Sequence, residues 1–354
     1  MRIWFAAAIP KDSRGGVERC MQNLARGLRA RGHETRVIPA GRRAPFNWYV
    51  VFMVTLLLRL IASGRRAPDY LVARSCDGLL CMLYGLLPGV RTRVVLHNHG
   101  WEEQAAALER RLPRSVLTSP TTWRARICRF PLLRTSLALC YRCMSGTVDQ
   151  MRYLARCYPR ARHRLTLVPN GVDVPRGPYR LPDVTRPAEL LFVGAPTWKK
   201  NLEYAEAVME KLHEECPEAL LWVVGVPAGR RPVAAGDSIR HVSSVDPERM
   251  NEWYERCPYL LSTSRYEGGH SLAILEAMSW GMVVFASPIA SIREFVRHGR
   301  NGFLLHGADP SRDALQIRQV IRDPERVRTT ALRAARAAHR HRVERQVNRM
   351  ERWL

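Results

Sequence analysis

The chain has 354 residues, 46% hydrophobic and 25% charged, too long for one ordinary α/β domain and apolar enough to bury two cores. No stretch of about 20 uninterrupted apolar residues occurs, which excludes a spanning helix of ordinary length. The formal charge of +24 comes almost wholly from arginine, since Lys11, Lys199, Lys200 and Lys211 are the only lysines. Residues 1–180 hold 31 basic and 10 acidic side chains, whereas residues 181–354 hold 25 and 22. A cationic half of this kind attracts phosphates, acidic lipids or nucleic acid.

The opening RIWFAAAI is a short apolar run closed at once by Pro10, so it reads as a first buried strand and not as a signal peptide. A turn, KDSRGG, follows. Then comes a helix with apolar Val17, Met21, Leu24 and Leu28 at three- and four-residue steps, stopped by Gly32. ETRVIPA is the second strand. This β–loop–α–β opening is that of a parallel, doubly wound sheet, and strand-like runs recur at DYLVARS, TRVVLHNHG and RLTLVPNGVD. The rhythm restarts near residue 188 with the strand AELLFVGAP, the helix KNLEYAEAVMEKLHEECP and the strand ALLWVVGVP. SIRHVSSV, PYLLSTS and MVVFASP read as further strands, with DPERMNEWYERC and SLAILEAMSWG as helices. The expected architecture is two Rossmann-like domains, 1–180 and 181–354, joined through the Pro- and Arg-rich PRGPYRLPDVTRPAE. The Arg-rich tail ALRAARAAHRHRVERQVNRMERWL reads as a helix that packs back on the first domain.

Asn47 to Ala62 breaks this pattern. The segment is apolar for most of its length, contains Trp48 and Tyr49, and is flanked by Arg42, Arg43, Arg65 and Arg66. It reads either as a buried helix of the first domain or as a helix lying in a membrane interface. The nine cysteines are odd in number and scattered, with Cys140 and Cys143 the only close pair. Lacking a second pair, they read as buried free thiols of a cytoplasmic protein and not as a metal site.

The candidate chemistry sits at strand ends. Gly15 and Gly16 lie between the first strand and its helix, where the backbone can approach a ligand and helix amides face an anion. Their spacing is not that of a dinucleotide fingerprint. His97, Asn98, His99 and Gly100 end a parallel strand, where ligands of doubly wound sheets bind, and a histidine there donates to a sugar hydroxyl or titrates near neutrality. No third metal ligand lies near this pair in the sequence. Gly194 to Asn201 opens a helix and places Lys199 or Lys200 to neutralise phosphate charge. The stretch from Ser262 to Gly281 carries Glu267, Gly268, Gly269 and His270 on a turn, then a helix from about Ser271 bearing Glu276. Exposed amides at that helix start suit a diphosphate, and the two glutamates suit sugar and ribose hydroxyls.

These residues resemble the large retaining glycosyltransferase family 4, of the GT-B fold, over nearly the whole chain. The marks are GGVER, the His-Gly at a strand end, Asn170-Gly171-Val172-Asp173 at the domain join, VGAPTWKKN, and the EGG…LEAM…G block. The resemblance implies an α/β chain of two doubly wound domains facing a central cleft, with acceptor binding in the first and a nucleotide-sugar donor in the second. It implies that Glu276 binds the donor ribose, and that Glu267 with the turn Gly268, Gly269, His270, Ser271 and Leu272 meets the donor sugar and diphosphate. Lys200, with Lys199, holds phosphate, Gly16 lies near the donor diphosphate or acceptor, and His99 lies near the reacting sugar. Gly15, His97 and Asn170 line the cleft. Two departures stand out: eight residues separate Glu267 from Glu276 where the family usually has seven, and Ala195 stands where it often has arginine.

The activity implied is retaining transfer from a nucleotide diphosphate sugar, a UDP-sugar foremost. The acceptor is a glycan or lipid-linked molecule of bacterial cell-surface polysaccharide or lipopolysaccharide synthesis. The chain has no Asp-x-Asp motif, so no cofactor and no metal are expected. The expected partners are the nucleotide sugar, the acceptor and an anionic membrane surface, with a peripheral place on the inner face of the cytoplasmic membrane. A sugar-nucleotide epimerase or hydrolase would share the layout. A basic nucleic-acid-binding protein would account for the charge but leave the donor-type motifs without a role.

Overall fold

The computed structural model describes residues 1–10, 15–40, 48–113, 123–175, 181, 183, 187–226 and 238–354. Much of the Pro- and Arg-rich join, and Lys11, Arg42, Arg43 and Asn47, lie outside the described residues.

Two units divide the described chain. The first comprises Met1–Arg111, Pro120–Gly171 and Val343–Leu354, and the second centres on Val172–Arg342. The second unit thus starts at Val172, and Val343–Leu354 belong to the first.

The sheet of the first unit has six strands: β1 (Arg2–Pro10), β2 (Glu34–Ala40), β3 (Tyr70–Arg74), β4 (Arg93–Asn98), β5 (Arg142–Ser145) and β6 (Leu165–Leu167). Their order is β2-β1-β3-β4-β5-β6, and every pairing is parallel. The order turns back at β1/β3, a topological switch point. Helix α1 (Gly16–Arg29) buries Cys20, Met21, Leu24, Ala25 and Leu28, the stripe set by its three- and four-residue steps. Glu18 in its first turn, and Arg26 and Arg29 in its last, complement the helix dipole. Helices α2 (Trp48–Ala62), α3 (Leu79–Tyr84), α4 (Glu102–Glu109), α5 (Trp123–Leu139) and α6 (Val148–Cys157) complete this part of the chain. Leu71, Leu96, Trp101, Leu137 and Cys143 meet in one core with Phe52, Leu56 and Leu60 of α2.

Helix α2 shows why its sequence allowed two readings. One face, Phe52, Met53, Leu56 and Leu60, is buried in the core, but Val50, Val51, Val54, Leu58 and Ile61 are all exposed. Arg59, Arg65 and Arg66 are exposed around it. Leu83, Leu86 and Leu87, at and beyond the end of α3, which packs on α2, are exposed as well. No helix among the described residues is long and apolar enough to cross a membrane.

The cysteines differ from expectation in one case. Seven of the eight described free thiols are buried, and Cys157 is exposed. Burial pushes the Cys140 thiol up to about 12, so the Cys140/Cys143 pair is held protonated and inert.

The second unit holds β7 (Glu189–Val193), β8 (Leu220–Val224), β9 (Ile239–Val242), β10 (Tyr259–Ser262), β11 (Val283–Ala286) and β12 (Phe303–Leu304). Their order, β12-β11-β10-β7-β8-β9, is the 3-2-1-4-5-6 Rossmann arrangement seen from the other edge, again wholly parallel. Its helices are α7 (Leu202–Glu215), α8 (Met250–Arg256), α9 (Leu272–Ser279), α10 (Ala290–Arg293), α11 (Pro310–Ile321) and α12 (Pro324–Ala338). Asp309 and Asp323 cap α11 and α12 through Arg312 N and Arg326 N at 3.1 and 3.0 Å, each with proline in the first turn.

The tail is not one helix. α12 ends at Ala338, and α13 (Val343–Glu351) begins after a short 3₁₀ turn. α13 lies on α1 at Gly27, where a Cβ would stand 2.6 Å from Val347 Cγ2. Only glycine lets the two helices approach this closely. Glu351 closes the contact by accepting from His33 Nε2 at 2.8 Å and pairing with Arg31.

Burial alone would raise the Glu351 carboxyl, but hydrogen bonds from His33 and Arg31 and the Arg31 charge outweigh it and hold it below the usual value. A depressed carboxyl stabilises the fold above its unfolded pKa of about 4.3, and that contribution is lost as pH falls through the folded value. Thermal melts of Glu351→Gln should therefore show a lower melting temperature than the native chain at pH 7. The gap should narrow below about pH 4; an equal gap at both pH values would refute the assignment.

Candidate functional site

In a parallel sheet the loops that follow the strands gather at one edge, and at a switch point two such loops run apart and leave a crevice. In the second unit that point is β7/β10. The loop after β7 carries Gly194 to Asn201, and the loop after β10 carries Thr263 to Ser271. Several bonds tie the two together. Lys200 Nζ donates to Glu267 Oε1 at 2.6 Å, and Ser264 Oγ donates to the same oxygen at 2.7 Å. Arg265 N donates to Lys199 O at 2.8 Å, and Thr263 Oγ to Asn201 O at 2.8 Å. Lys199 is exposed, with its ammonium 5.5 Å from the Tyr266 ring centre and 5.8 Å from that of Trp198. The two basic residues thus differ: Lys200 is half-buried against a carboxylate, whereas Lys199 stands out over two aromatic faces.

Gly268 and Gly269 are half-buried, and Ser271 is the extended residue capping α9, so the amides of Leu272 and its successors head an eight-residue helix. Glu276, one turn in, is buried, and Tyr254 donates its hydroxyl to Glu276 Oε2 at 2.7 Å. The tyrosine fixes one carboxylate oxygen of Glu276 and so sets its orientation. His270 turns inward. Its side chain is buried against Phe295 and His341, with Nε2 3.2 Å from Glu294 Oε2. In this position the imidazole packs the glycine turn onto the interior of the second unit.

Glycine also lets the chain after β8 approach the loop after β7. Gly225, at the end of β8, has φ +110, and a Cβ there would lie 3.1 Å from the backbone carbon and oxygen of Gly194. Gly194 in turn lets the Lys200 stem lie against the chain, its Cγ 3.1 Å from where a Cβ would be.

The first unit presents its own group at the ends of β1 and β4. Gly15 is extended and caps α1, and Gly16 is exposed. His97 is buried, His99 half-buried, and their ring centres are 3.8 Å apart. Burial pulls His97 down to about 3, and burial, His97 and Arg74 together pull His99 well below the usual value. Both are neutral imidazoles near neutrality, able to donate or accept but not to act as cations. Asn170 accepts from the Cys20 thiol at 3.3 Å, and Gln346 Nε2 of α13 reaches the same sulfur at 3.6 Å. Cys20 therefore joins the histidine pair: one ligand atom from each of Cys20, His97 and His99 lies within 4.8 Å of the others. The sequence offers no third ligand near the histidines because Cys20 comes from a helix some 80 residues away.

The fold brings together Lys199, Lys200, Glu267, Gly268, Gly269, Ser271, Leu272 and Glu276 in the second unit, and Gly15, Gly16, His97, His99 and Asn170 in the first. Sequence reasoning missed Tyr254, Ser264 and Cys20. Tyr254 belongs to an ordinary amphipathic helix, and only its hydrogen bond distinguishes it.

The chain matches the family described as Glycosyltransferase Family 4 over residues 14–176, and that described as Glycosyl transferases group 1 over residues 187–323. It belongs to this glycosyltransferase family, and its two sheets have the GT-B fold. D-inositol 3-phosphate glycosyltransferase of Thermobispora bispora is 28% identical over 225 residues, 56% of this chain and 52% of that protein. The chain thus spans about half the length of the curated relatives it matches. Among solved structures, sucrose-phosphate synthase from Thermosynechococcus elongatus superposes with a TM-score of 0.78 at 15% identity, covering 99% of this chain and 98% of that one. Anabaena HepE in complex with UDP-glucose gives 0.73 at 16% identity and full coverage of both chains.

Gly225→Ala should destabilise the chain by about 1–3 kcal/mol in denaturant unfolding, from the left-handed backbone and the Gly194 contact together. Gly299→Ala, also left-handed at φ +70 but with nothing within 4 Å, should cost about 1 kcal/mol. Equal losses would show that the Gly194 contact carries no energy.

Proposed function

We propose that this chain moves a glycosyl unit from a nucleotide diphosphate sugar, a UDP-sugar foremost, to a glycan or lipid-linked acceptor, with retention at the anomeric carbon. The observation that carries the reading is the meeting of Lys200, Glu267 and the head of α9 at the ends of the adjacent strands β7 and β10. Supporting it are the family membership and the UDP-glucose complex of HepE.

In this reading the diphosphate lies at the N-terminus of α9, where unpaired amides and the helix dipole stabilise the charge of the leaving group. Lys200 shifts between Glu267 and phosphate, and the exposed Lys199 adds a second cation. Glu276, oriented by its hydrogen bond from Tyr254, meets the ribose hydroxyls. Glu267 meets the donor sugar, and neutral His99 hydrogen-bonds the reacting sugar. The reaction as proposed draws on no divalent metal, in keeping with the lack of an Asp-x-Asp motif.

The acceptor side is proposed to work at an anionic membrane surface, in bacterial cell-surface polysaccharide or lipopolysaccharide synthesis. The support is the exposed apolar face of α2, five aliphatic side chains ringed by Arg59, Arg65 and Arg66, in a unit with a large cationic excess. Apolar burial and charge attraction add on such a surface.

UDP should raise the melting temperature of the native chain, and Glu276→Ala should abolish the shift. Stabilisation by oligonucleotides alone would overturn the reading, and consumption of the nucleotide sugar without acceptor would favour a hydrolase. Sedimentation with phosphatidylglycerol vesicles should exceed that with phosphatidylcholine, and Val51→Asp with Leu58→Asp should weaken it about tenfold. Binding unchanged by these substitutions would remove the membrane from the account.

A further inference from the structure

Buried polar atoms in folded proteins are almost always hydrogen-bonded, and an orphan calls for an explanation such as a missing ion. Two occur side by side in the first unit: His97 Nδ1 and His99 Nε2 are buried without a hydrogen-bond partner. The sulfur of Cys20 stands with these two residues: it and one ring nitrogen of each histidine lie within 4.8 Å of one another. A metal held at about 2.0–2.3 Å by such atoms would set them about 3.6 Å apart in a trigonal arrangement, a closure of roughly 1 Å.

We propose that Cys20, His97 and His99 form a three-coordinate site for a soft monovalent metal ion, Cu(I), and that its occupation blocks the reaction by removing His99 from the sugar. Charge selects the ion. Cu(I) with one thiolate and two neutral imidazoles is neutral overall, which suits a buried site, whereas a divalent ion would leave a net positive charge beside Arg74. Ligand softness is compatible, since thiolate is a soft ligand that takes Cu(I) and imidazole binds copper as well. On binding, the Cys20 S–H bond breaks, the proton passes to solvent, and the sulfur bonds to the metal with no change of oxidation state. Gln346 Nε2, 3.6 Å from the sulfur, remains as a donor to the thiolate. Metal binding stands on geometry alone; the inhibitory effect rests on the glycosyltransferase reading.

The test is anaerobic titration of the full chain in a Cys157→Ser background, which removes the exposed thiol, with Cu(I) supplied from a chromophoric bicinchoninate complex. One equivalent should be captured, and Cys20→Ser and His99→Gln should each lower the affinity at least tenfold. X-ray absorption of the loaded protein should show one sulfur and two nitrogen ligands, a readout that holds even if a variant folds poorly. Failure to capture Cu(I), undiminished capture by Cys20→Ser, or tighter binding of Zn(II) than of Cu(I) would overturn the site. Capture with undiminished sugar transfer would overturn the inhibitory role. A chain that binds Cu(I) yet transfers no sugar would refute the enzymatic reading and leave the metal site standing.

Discussion

In a sheet whose strands all run parallel, each strand must be followed by a crossover that returns the chain to the same starting edge. Every strand therefore ends on one edge, and every loop that follows a strand opens there. Both sheets of this chain obey that constraint without exception among the described strands, and it decides where chemistry can sit. Lys200 and Glu267 are 67 residues apart in sequence yet share a salt bridge, because β7 and β10 are neighbours and end together. His97 meets Cys20 for the same reason: β4 ends on the edge at which α1 begins.

Within that frame, side chains hold one another as much as they wait for ligands. Lys200 is paired, one oxygen of Glu276 is committed to Tyr254, and His270 is turned into the interior. A half-buried ion pair of this kind costs less to keep than a lone ammonium in the same place. Under the proposed reading, a phosphate reaching Lys200 would have to displace a carboxylate and not only water. Lys199, by contrast, is exposed, with its ammonium over the rings of Tyr266 and Trp198. The two neighbouring lysines, alike in sequence, thus differ in burial and surroundings.

Much of this was legible in the residues. Strand runs such as ETRVIPA and MVVFASP are apolar or β-branched and bounded by glycine, proline or charge, and they coincide with strands. The glycine turn and the helix bearing Glu276 were equally plain. What escaped were elements too short to show a period: β5, four residues inside RCMS, and β12, two residues at Phe303–Leu304. Their pairing is imposed by the neighbouring strand and not by their own pattern. The tail misled because its arginines and alanines favour helix throughout, and nothing in their spacing marks the turn at His339–His341. Contacts made across the fold, Tyr254 to Glu276 and Cys20 to the histidines, leave no trace in any local window.

The return of α13 to α1 makes the first unit discontinuous: its residues lie in sequence on both sides of the second. During synthesis, which proceeds from the N-terminus at about 5–20 residues per second, the second unit is fully extruded before the first has all its parts. Until Val343–Leu354 emerge, the groove around Gly27 is uncovered and Gly171 N lacks the Gln346 side chain that receives it at 3.0 Å. The unit whose sheet is made first is thus the last to be finished. The order of folding is written into the path of the chain, with the second unit set inside the first like an insertion.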